Sequence, residues 1–243
     1  MSEEIDTSRR AFLGAAAAFT VTMLAPGVML YAQPPSEPAP RAVRWGILIE
    51  IGQCDSGCND CVKACGEEFG LVSHGRPDTD PQWIRKVTLT DPLSKREQSF
   101  PVMCQHCAHP PCVDVCPTGA SFQRDDGVVL VNRHLCIGCR YCELACPYKA
   151  RNFVHEVVTD QKSYAPRGKG TSESCTLCVH RVDAGGTPAC VEACSKSGRG
   201  AMTFGDLNDP NSNIAKRVAS IATQQIRADL RTDPAIRYVG LSS

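Results

Sequence analysis

Residues 136–147 read CIGCRYCELACP, with the cysteine spacing Cys-x2-Cys-x2-Cys-x3-Cys-Pro. The first three cysteines occupy one short loop, where their sulfurs can point at three corners of a single inorganic cube. The fourth leaves the loop and points elsewhere. This spacing matches the bacterial ferredoxin run, whose fourth cysteine ligates the other cluster of a pair. The segment therefore predicts 4Fe-4S chemistry and a fold in which two such motifs are paired.

The same kind of motif occurs four times. The 243-residue chain contains sixteen cysteines, all in groups of four, and the central gap is longer in group two and longest in group four. In chain order the groups are Cys54, Cys58, Cys61 and Cys65; Cys104, Cys107, Cys112 and Cys116; Cys136, Cys139, Cys142 and Cys146; and Cys175, Cys178, Cys190 and Cys194. We predict that all sixteen bind metal, as the ligands of four 4Fe-4S clusters.

The segments around the groups indicate how they pair. CPTGA at 116–120 parallels CPYKA at 146–150, so groups two and three form one inner ferredoxin module over residues 100–154. Within it, the DDG turn at 125–127 predicts a hairpin. Groups one and four then form an outer module, flanked by strands predicted at 45–51 and 201–204. The predicted fold class is α+β, with two interleaved ferredoxin-like dicluster modules, short antiparallel strands and a C-terminal helix.

The C-terminal helix is predicted within residues 211–231. Ile214, Val218 and Ile221 recur at helical spacing, and residues 209–212 supply capping side chains. So modest an apolar stripe favours packing against the cluster domain over docking of a partner.

Other uses of the cysteines fit their spacing less well. Disulfide scaffolds scatter their cysteines, and structural zinc sites use two separated pairs, whereas here every cysteine belongs to a tight group. Haem attachment is excluded because Ala108, Glu143 and Val179 follow the Cys-x-x-Cys pairs where a histidine is required. A structural zinc or cysteine-rich protein without redox function stays open as an alternative that elemental analysis decides.

The N-terminus resembles an export signal. SRRAFL at residues 8–13 precedes an uncharged, alanine-rich stretch that continues to Ala32, as in twin-arginine signals. We predict a signal at residues 1–32, cleaved or retained as an anchor, a proline-rich linker at 33–42 and a four-cluster domain at 43–243. The predicted location is periplasmic and peripheral to the cytoplasmic membrane. Twin-arginine export carries folded proteins, which suits clusters assembled in the cytoplasm.

Several functions are excluded by what the chain lacks. Its 26 basic and 26 acidic residues give no net charge, so nucleic acid is not the implied partner. It contains no P-loop, dinucleotide fingerprint or nucleophile elbow. Since each group has four cysteines, no iron is left open for substrate, and we predict no catalytic residues. For His106 and His109 the packing role is favoured over ligation.

Four cysteine groups in this order, the Cys-x2-Cys-x4-Cys-x3-Cys-Pro pattern of group two and FGDLNDP at 204–210 together resemble the four-cluster subunits of periplasm-facing membrane oxidoreductases. Such subunits relay electrons between a quinone-interacting membrane protein and a redox partner. The resemblance implies four ligand sets: Cys54, Cys58, Cys61 and Cys194; Cys65, Cys175, Cys178 and Cys190; Cys104, Cys107, Cys112 and Cys146; and Cys116, Cys136, Cys139 and Cys142.

Three further segments, PQWIRKV at 81–87, HPPCVDVC at 109–116 and CIGCRYC at 136–142, are similar to the O subunits of Dsr complexes, which accompany dissimilatory sulfite reductase. This implies a polysulfide-reductase-type integral membrane partner that interacts with quinone, a multihaem cytochrome c, and further Dsr membrane and cytoplasmic subunits. The chain departs from the pattern where Gly66 and Ser195 replace proline and where group one has one extra residue. An electron-transfer subunit of a molybdenum oxidoreductase is the alternative.

Overall fold

The computed structural model describes residues 42–241, together with residues 23–25 and 28–29. The chain separates into two compact units, Met1–Pro38 and Ala39–Ser243. In the first unit, β1 (Met23–Ala25) pairs antiparallel with β2 (Val28–Met29). The twin-arginine motif at 8–13 and residues 33–41 of the predicted linker lie outside the described residues, so the export prediction stays a prediction.

The second unit alternates short strands with short helices. In chain order these are β3 (Trp45–Glu50), α1 (Asp60–Phe69), β4 (Ile84–Thr90), β5 (Glu97–Met103), α2 (Pro111–Asp114), β6 (Ser121–Gln123), β7 (Val129–Val131), α3 (Tyr141–Ala145), β8 (Asn152–Phe153), β9 (Ser172–Glu173), α4 (Val179–Val182), α5 (Ala189–Lys196), β10 (Met202–Asp206), α6 (Asn213–Ser220) and β11 (Ile236–Val239). The mixture fits the predicted α+β class. Over residues 42–241, no helix combines the length and apolar character that crossing a bilayer requires.

The largest sheet among the described residues has three strands. β3 is its middle strand, with β10 antiparallel on one side and β11 parallel on the other. Ile47, Leu48 and Ile49 of β3 are fully buried, which is the continuous apolar run expected of a strand covered on both faces. The strands predicted at 45–51 and 201–204 are therefore confirmed, with β10 shifted by one residue and extended to Asp206.

The predicted hairpin between groups two and three is also present, as β6 and β7 pair antiparallel. Gly127 in its turn has a φ of +83°, a conformation that glycine adopts without the steric cost of a side chain. The Arg44 guanidinium lies directly over the turn, donating to Gly127 O at 3.1 Å and to His106 O at 2.8 Å. The residues that precede β3 are thereby held against the inner module.

The predicted C-terminal helix is present as α6, within residues 211–231, but it is not the last element of the described chain. α6 ends at Ser220, and the final element is the strand β11. Ser212 caps the helix by accepting from the Ala215 N–H at 3.1 Å, as the capping signal predicted, and Ile214 is fully buried. The chain after α6 does not continue as a helix. Gln224 forms an isolated β-bridge with Tyr238, and β11 pairs with the edge of β3 that β10 leaves open.

Replacing Ile236 with alanine is expected to lower the free energy of unfolding by about 2–5 kcal/mol, since the Ile236 side chain is fully buried. Denaturant titration followed by circular dichroism measures this change. Leu93→Ala is the control, because Leu93 is 93% exposed and its truncation is expected to change stability little. Equal effects of the two substitutions would contradict the burial of β11.

Candidate metal centre

Two helix pairs bring the cysteine groups together. α1, which contains Cys61 and Cys65, packs against α5, which contains Cys190 and Cys194. α2, with Cys112, packs against α3, with Cys142. Group one therefore meets group four, and group two meets group three, as the two-module interpretation requires. The module boundaries themselves stay a prediction.

One cavity is lined by four cysteines from both ends of the chain. We call this site I: Cys54, Cys58, Cys61 and Cys194. Ile49, Pro101 and Met202 complete an apolar wall around it. The Lys86 ammonium donates to Cys54 Sγ at 3.0 Å and to the Asp55 carbonyl at 2.9 Å, so one edge of site I carries a positive charge. Sequence reasoning did not single out Lys86, because 32 residues separate it from the sulfur that it contacts.

A second cavity has the same construction in the inner module. We call this site III: Cys104, Cys107, Cys112 and Cys146. All four are buried. The Ala150 N–H donates to Cys146 Sγ at 3.4 Å, and the Arg151 guanidinium donates to Cys112 Sγ at 3.1 Å. Ala150 and Arg151 also line the cavity, so its wall supplies a backbone donor and a side-chain donor to the sulfurs.

The cysteines of a third set influence one another through their charges. We call this site II: Cys65, Cys175, Cys178 and Cys190, all of them buried. Desolvation raises the pKa of the Cys175 thiol well above its usual value, and the neighbouring charges of Cys65, Cys190 and Cys178 raise it further. The Leu177 N–H donates to Cys175 Sγ at 3.4 Å. The four predicted members of this set are therefore electrostatic neighbours.

Of the remaining four cysteines, Cys142 is buried and the other three lie nearer the surface. We call this site IV: Cys116, Cys136, Cys139 and Cys142. Ser172 joins two of them, since its N–H donates to Cys136 Sγ at 3.4 Å and its hydroxyl accepts from the Cys142 thiol at 3.2 Å. Cys139 is exposed and Cys116 is half-buried. The described contacts connect Cys136 with Cys142 but do not link either of them directly to Cys116 or Cys139.

Burial makes most of these thiols poor anions in the absence of a positively charged partner. Desolvation raises the pKa of Cys61, Cys107 and Cys178 to about 11 and that of Cys104 to about 12. Cys116 differs. Desolvation raises the pKa of its thiol, but hydrogen bonds from the Ser121 N–H and Thr118 outweigh that effect and lower it. Metal binding displaces the thiol proton. Closely grouped buried cysteines therefore suit a positively charged inorganic core, to which they bind as thiolates.

Arg151 gives an independent test of what these residues can hold. Its side chain is only 6% exposed, and one terminal nitrogen, Nη2, donates to Cys112 Sγ and to Ser121 Oγ at 2.8 Å. Its other terminal nitrogen, Nη1, is buried without a protein partner. Neither partner carries a carboxylate's negative charge, and a buried cation without a counter-charge is strongly destabilising. A thiolate-ligated 4Fe-4S cluster is a net anion, so site III fits such a group.

Among the described residues, no three or more His, Cys, Asp or Glu side chains converge closely enough to hold one metal ion. A cubane has an iron at each of four corners, so its four thiolates need not converge on one point. His106 is fully buried, where its Nδ1 accepts from the Val129 N–H at 3.1 Å, while His109 is at the surface. His106 is therefore packed inside the inner module, and the preference for packing over ligation stays a prediction for both histidines.

Comparison with known proteins gives one family match. Residues 96–207 match the family model described as a 4Fe-4S dicluster domain. This range contains all of groups two, three and four.

Individual relatives match over most of the chain. The chain is 40% identical to the Hdr-like menaquinol oxidoreductase iron-sulfur subunit 1 of Archaeoglobus fulgidus, covering 96% of this chain and 98% of that protein. It is 36% identical to the B subunit of tetrathionate reductase from Salmonella typhimurium, covering 98% of this chain and 90% of that protein. It is 38% identical to the protein NrfC of Escherichia coli, covering 81% of each chain.

Serine substitutions test the grouping of the cysteines. Cys61→Ser and Cys194→Ser are expected to abolish or alter the same spin-resonance signal, because both side chains line site I. Cys65→Ser and Cys190→Ser are expected to change a different signal. Low-temperature spectra and iron content of the anaerobically purified variants measure this. A spectrum in which Cys61→Ser matches Cys65→Ser, its neighbour on α1, would contradict the assignment of each fourth cysteine to the cluster of the partner group.

Proposed function

We propose a function from one premise: this chain belongs to the family of 4Fe-4S ferredoxin-like subunits of membrane oxidoreductases. The chain relays electrons through four clusters held at sites I to IV. The observation that carries the proposal is the gathering of cysteines from distant segments into shared sites. Site I and site III are each lined by the complete set of four predicted ligands. When bound, such clusters supply reversible one-electron transfer.

The four sites differ in how deeply their cysteines are buried. All eight cysteines of sites II and III are buried, whereas Cys54 and Cys58 of site I and Cys116, Cys136 and Cys139 of site IV are not. We infer that electrons pass in the order I, II, III, IV or its reverse. Burial keeps water from the two central sites, and the partly exposed sites give partners access to the ends.

Site IV has the surface of a docking point. Ile137 is 66% and Leu144 is 76% exposed, and both belong to the motif that contains Cys139. Leu135 and Tyr141, from the same segment, are also exposed. Exposed apolar side chains grouped in this way mark interaction surfaces. We infer that one redox partner docks over site IV and that the chain's own contribution is to hold Cys139 at that interface.

The partners that we propose follow from the motifs and the relatives. The Archaeoglobus fulgidus relative is named as a subunit of a menaquinol oxidoreductase, which supports a quinone-linked membrane partner. The sequence resemblance supports the narrower proposal that this partner is of the polysulfide-reductase type. The segments at 81–87 and 109–116 support the narrower proposal of a Dsr complex in dissimilatory sulfur metabolism, with a multihaem cytochrome c as the other partner. The motif at residues 8–13 supports export to the periplasm.

A second candidate is the electron-transfer subunit of a molybdenum oxidoreductase. Three relatives favour it, since they are named as B subunits of tetrathionate reductase, of a putative dimethyl sulfoxide reductase and of selenate reductase. Co-purification separates the two candidates. A cytochrome c in the isolated complex supports the first, and a pterin-containing catalytic subunit supports the second.

Anaerobic purification of the intact complex tests the proposed function. We expect iron and acid-labile sulfide in the amounts of four 4Fe-4S clusters, four reducible spin-resonance signals, and reduction of those signals by a quinol through the membrane partner. A colourless protein that contains zinc and no labile sulfide would refute the proposal.

Aspartate at the exposed apolar positions tests the docking surface. Ile137→Asp and Leu144→Asp are expected to slow electron exchange with the site IV partner at least about tenfold, because a charge in an apolar interface carries a desolvation cost of more than about 1.4 kcal/mol. Stopped-flow reduction of the complex measures the rate. Leu93→Asp, at a position 93% exposed and outside the motif, is the control. Unchanged rates at all three positions would place the partner elsewhere.

A further inference from the structure

Two of the cations described above, Lys86 and Arg151, donate to a cysteine sulfur. They differ in how deeply they are buried. Lys86, which contacts Cys54, is half-buried beside the exposed edge of site I. Arg151 is 6% exposed and lies inside the inner module. A charge in a protein interior acts across a lower effective dielectric and is screened less by salt than one at the surface. Arg151 therefore exerts the stronger field on the nearby sulfurs.

The contacts of Arg151 point mainly to one site. Its Nη2 is 3.1 Å from Cys112 Sγ, and its charge also interacts with Cys104, so two of its electrostatic neighbours belong to site III. Cys142 of site IV ranks below them as an electrostatic neighbour. The unpartnered Nη1 leaves a donor free for an anionic group. This guanidinium therefore influences site III more strongly than site IV.

Ser121 holds the guanidinium in place and connects the two inner sites. Its hydroxyl accepts from Arg151 Nη2 at 2.8 Å, and its own N–H donates to Cys116 Sγ at 3.3 Å. Ser121 is only 3% exposed, so water does not compete for either contact. The position of the charge is fixed by β6, whose first residue is Ser121.

We propose that Arg151 is a positioning residue that raises the reduction potential at site III. It thereby helps to set the order in which sites III and IV, the two sites of the inner module, are reduced. The inference rests on the proposed function. Reduction adds one electron and no proton, which makes the bound group more negative by one charge. A fixed cation stabilises the reduced form more than the oxidised form, so the potential rises. Net charge and hydrogen bonds to sulfur are the established determinants of such potentials.

The test is a redox titration of the complex by spin resonance, with the site III signal identified by its change in Cys104→Ser. Arg151→Gln is expected to shift the reduction equilibrium at site III at least about tenfold toward the oxidised form, which is about 59 mV for one electron. Arg151→Lys is expected to retain most of the wild-type potential because it keeps the charge. Lys149→Gln, which removes an exposed charge from the same loop, is the matched control. It is expected to shift the reduction equilibrium at site III less than about threefold.

Arg151→Gln with full iron content and an unchanged site III potential would overturn the inference. If that variant loses the iron of site III, Ser121→Asp decides. Its carboxylate neutralises Arg151 in place and is expected to lower the potential relative to Ser121→Asn, and an equal potential in the two variants overturns the inference. Wild-type protein without labile sulfide would instead refute the proposed function, so the two failures are distinguishable.

Discussion

The structure depends on one constraint, that sulfurs from segments far apart in the chain must converge in sets of four. Site I requires Cys54 and Cys194 to meet, and these lie at opposite ends of the cysteine-containing region. The central strand β3 and its neighbour β10 enforce this, because β3 leads into group one and β10 leaves group four. Antiparallel pairing of these two strands brings both groups to the same end of the sheet. The inner module then occupies the chain between them.

Only 6% of the residues are aromatic, so burial of the sulfurs accounts for part of what holds this fold together. Eleven of the sixteen cysteines are buried, and for Cys175 and Cys190 among them desolvation opposes ionisation. Thiols that resist ionisation in the apoprotein give up their protons when metal binds, so binding free energy becomes folding free energy. A chain with few aromatic residues can in this way be stabilised by its clusters in addition to its side-chain packing.

The charges near the sulfurs are distributed unevenly. Lys86 lies beside site I in partial contact with water, and Arg151 is enclosed beside site III. At site IV the backbone N–H groups of Ser121 and Ser172 donate to the sulfurs of Cys116 and Cys136, and Thr118 is hydrogen-bonded to Cys116. Near site II, Glu68 adds negative charge to the surroundings of Cys65 and Cys178, although Arg181 is its hydrogen-bonded partner. Four sites with the same ligand type thus have four different electrostatic environments.

The four ligand sets stay a prediction, but the sequence by itself determined the number of cysteine groups and the type of cluster that they bind, because cysteine spacing is a local property and a cubane imposes strict requirements on it. It also predicted β3, β10 and the hairpin at residues 125–127. It did not predict β11, since Ile236–Val239 becomes a strand only where the edge of β3 is available. Nor did it identify Lys86 and Arg151 as neighbours of sulfur, because 32 and 39 residues separate them from Cys54 and Cys112. Contacts over such separations have no periodic signal in the sequence, so only the tertiary structure decided which charges act on which site.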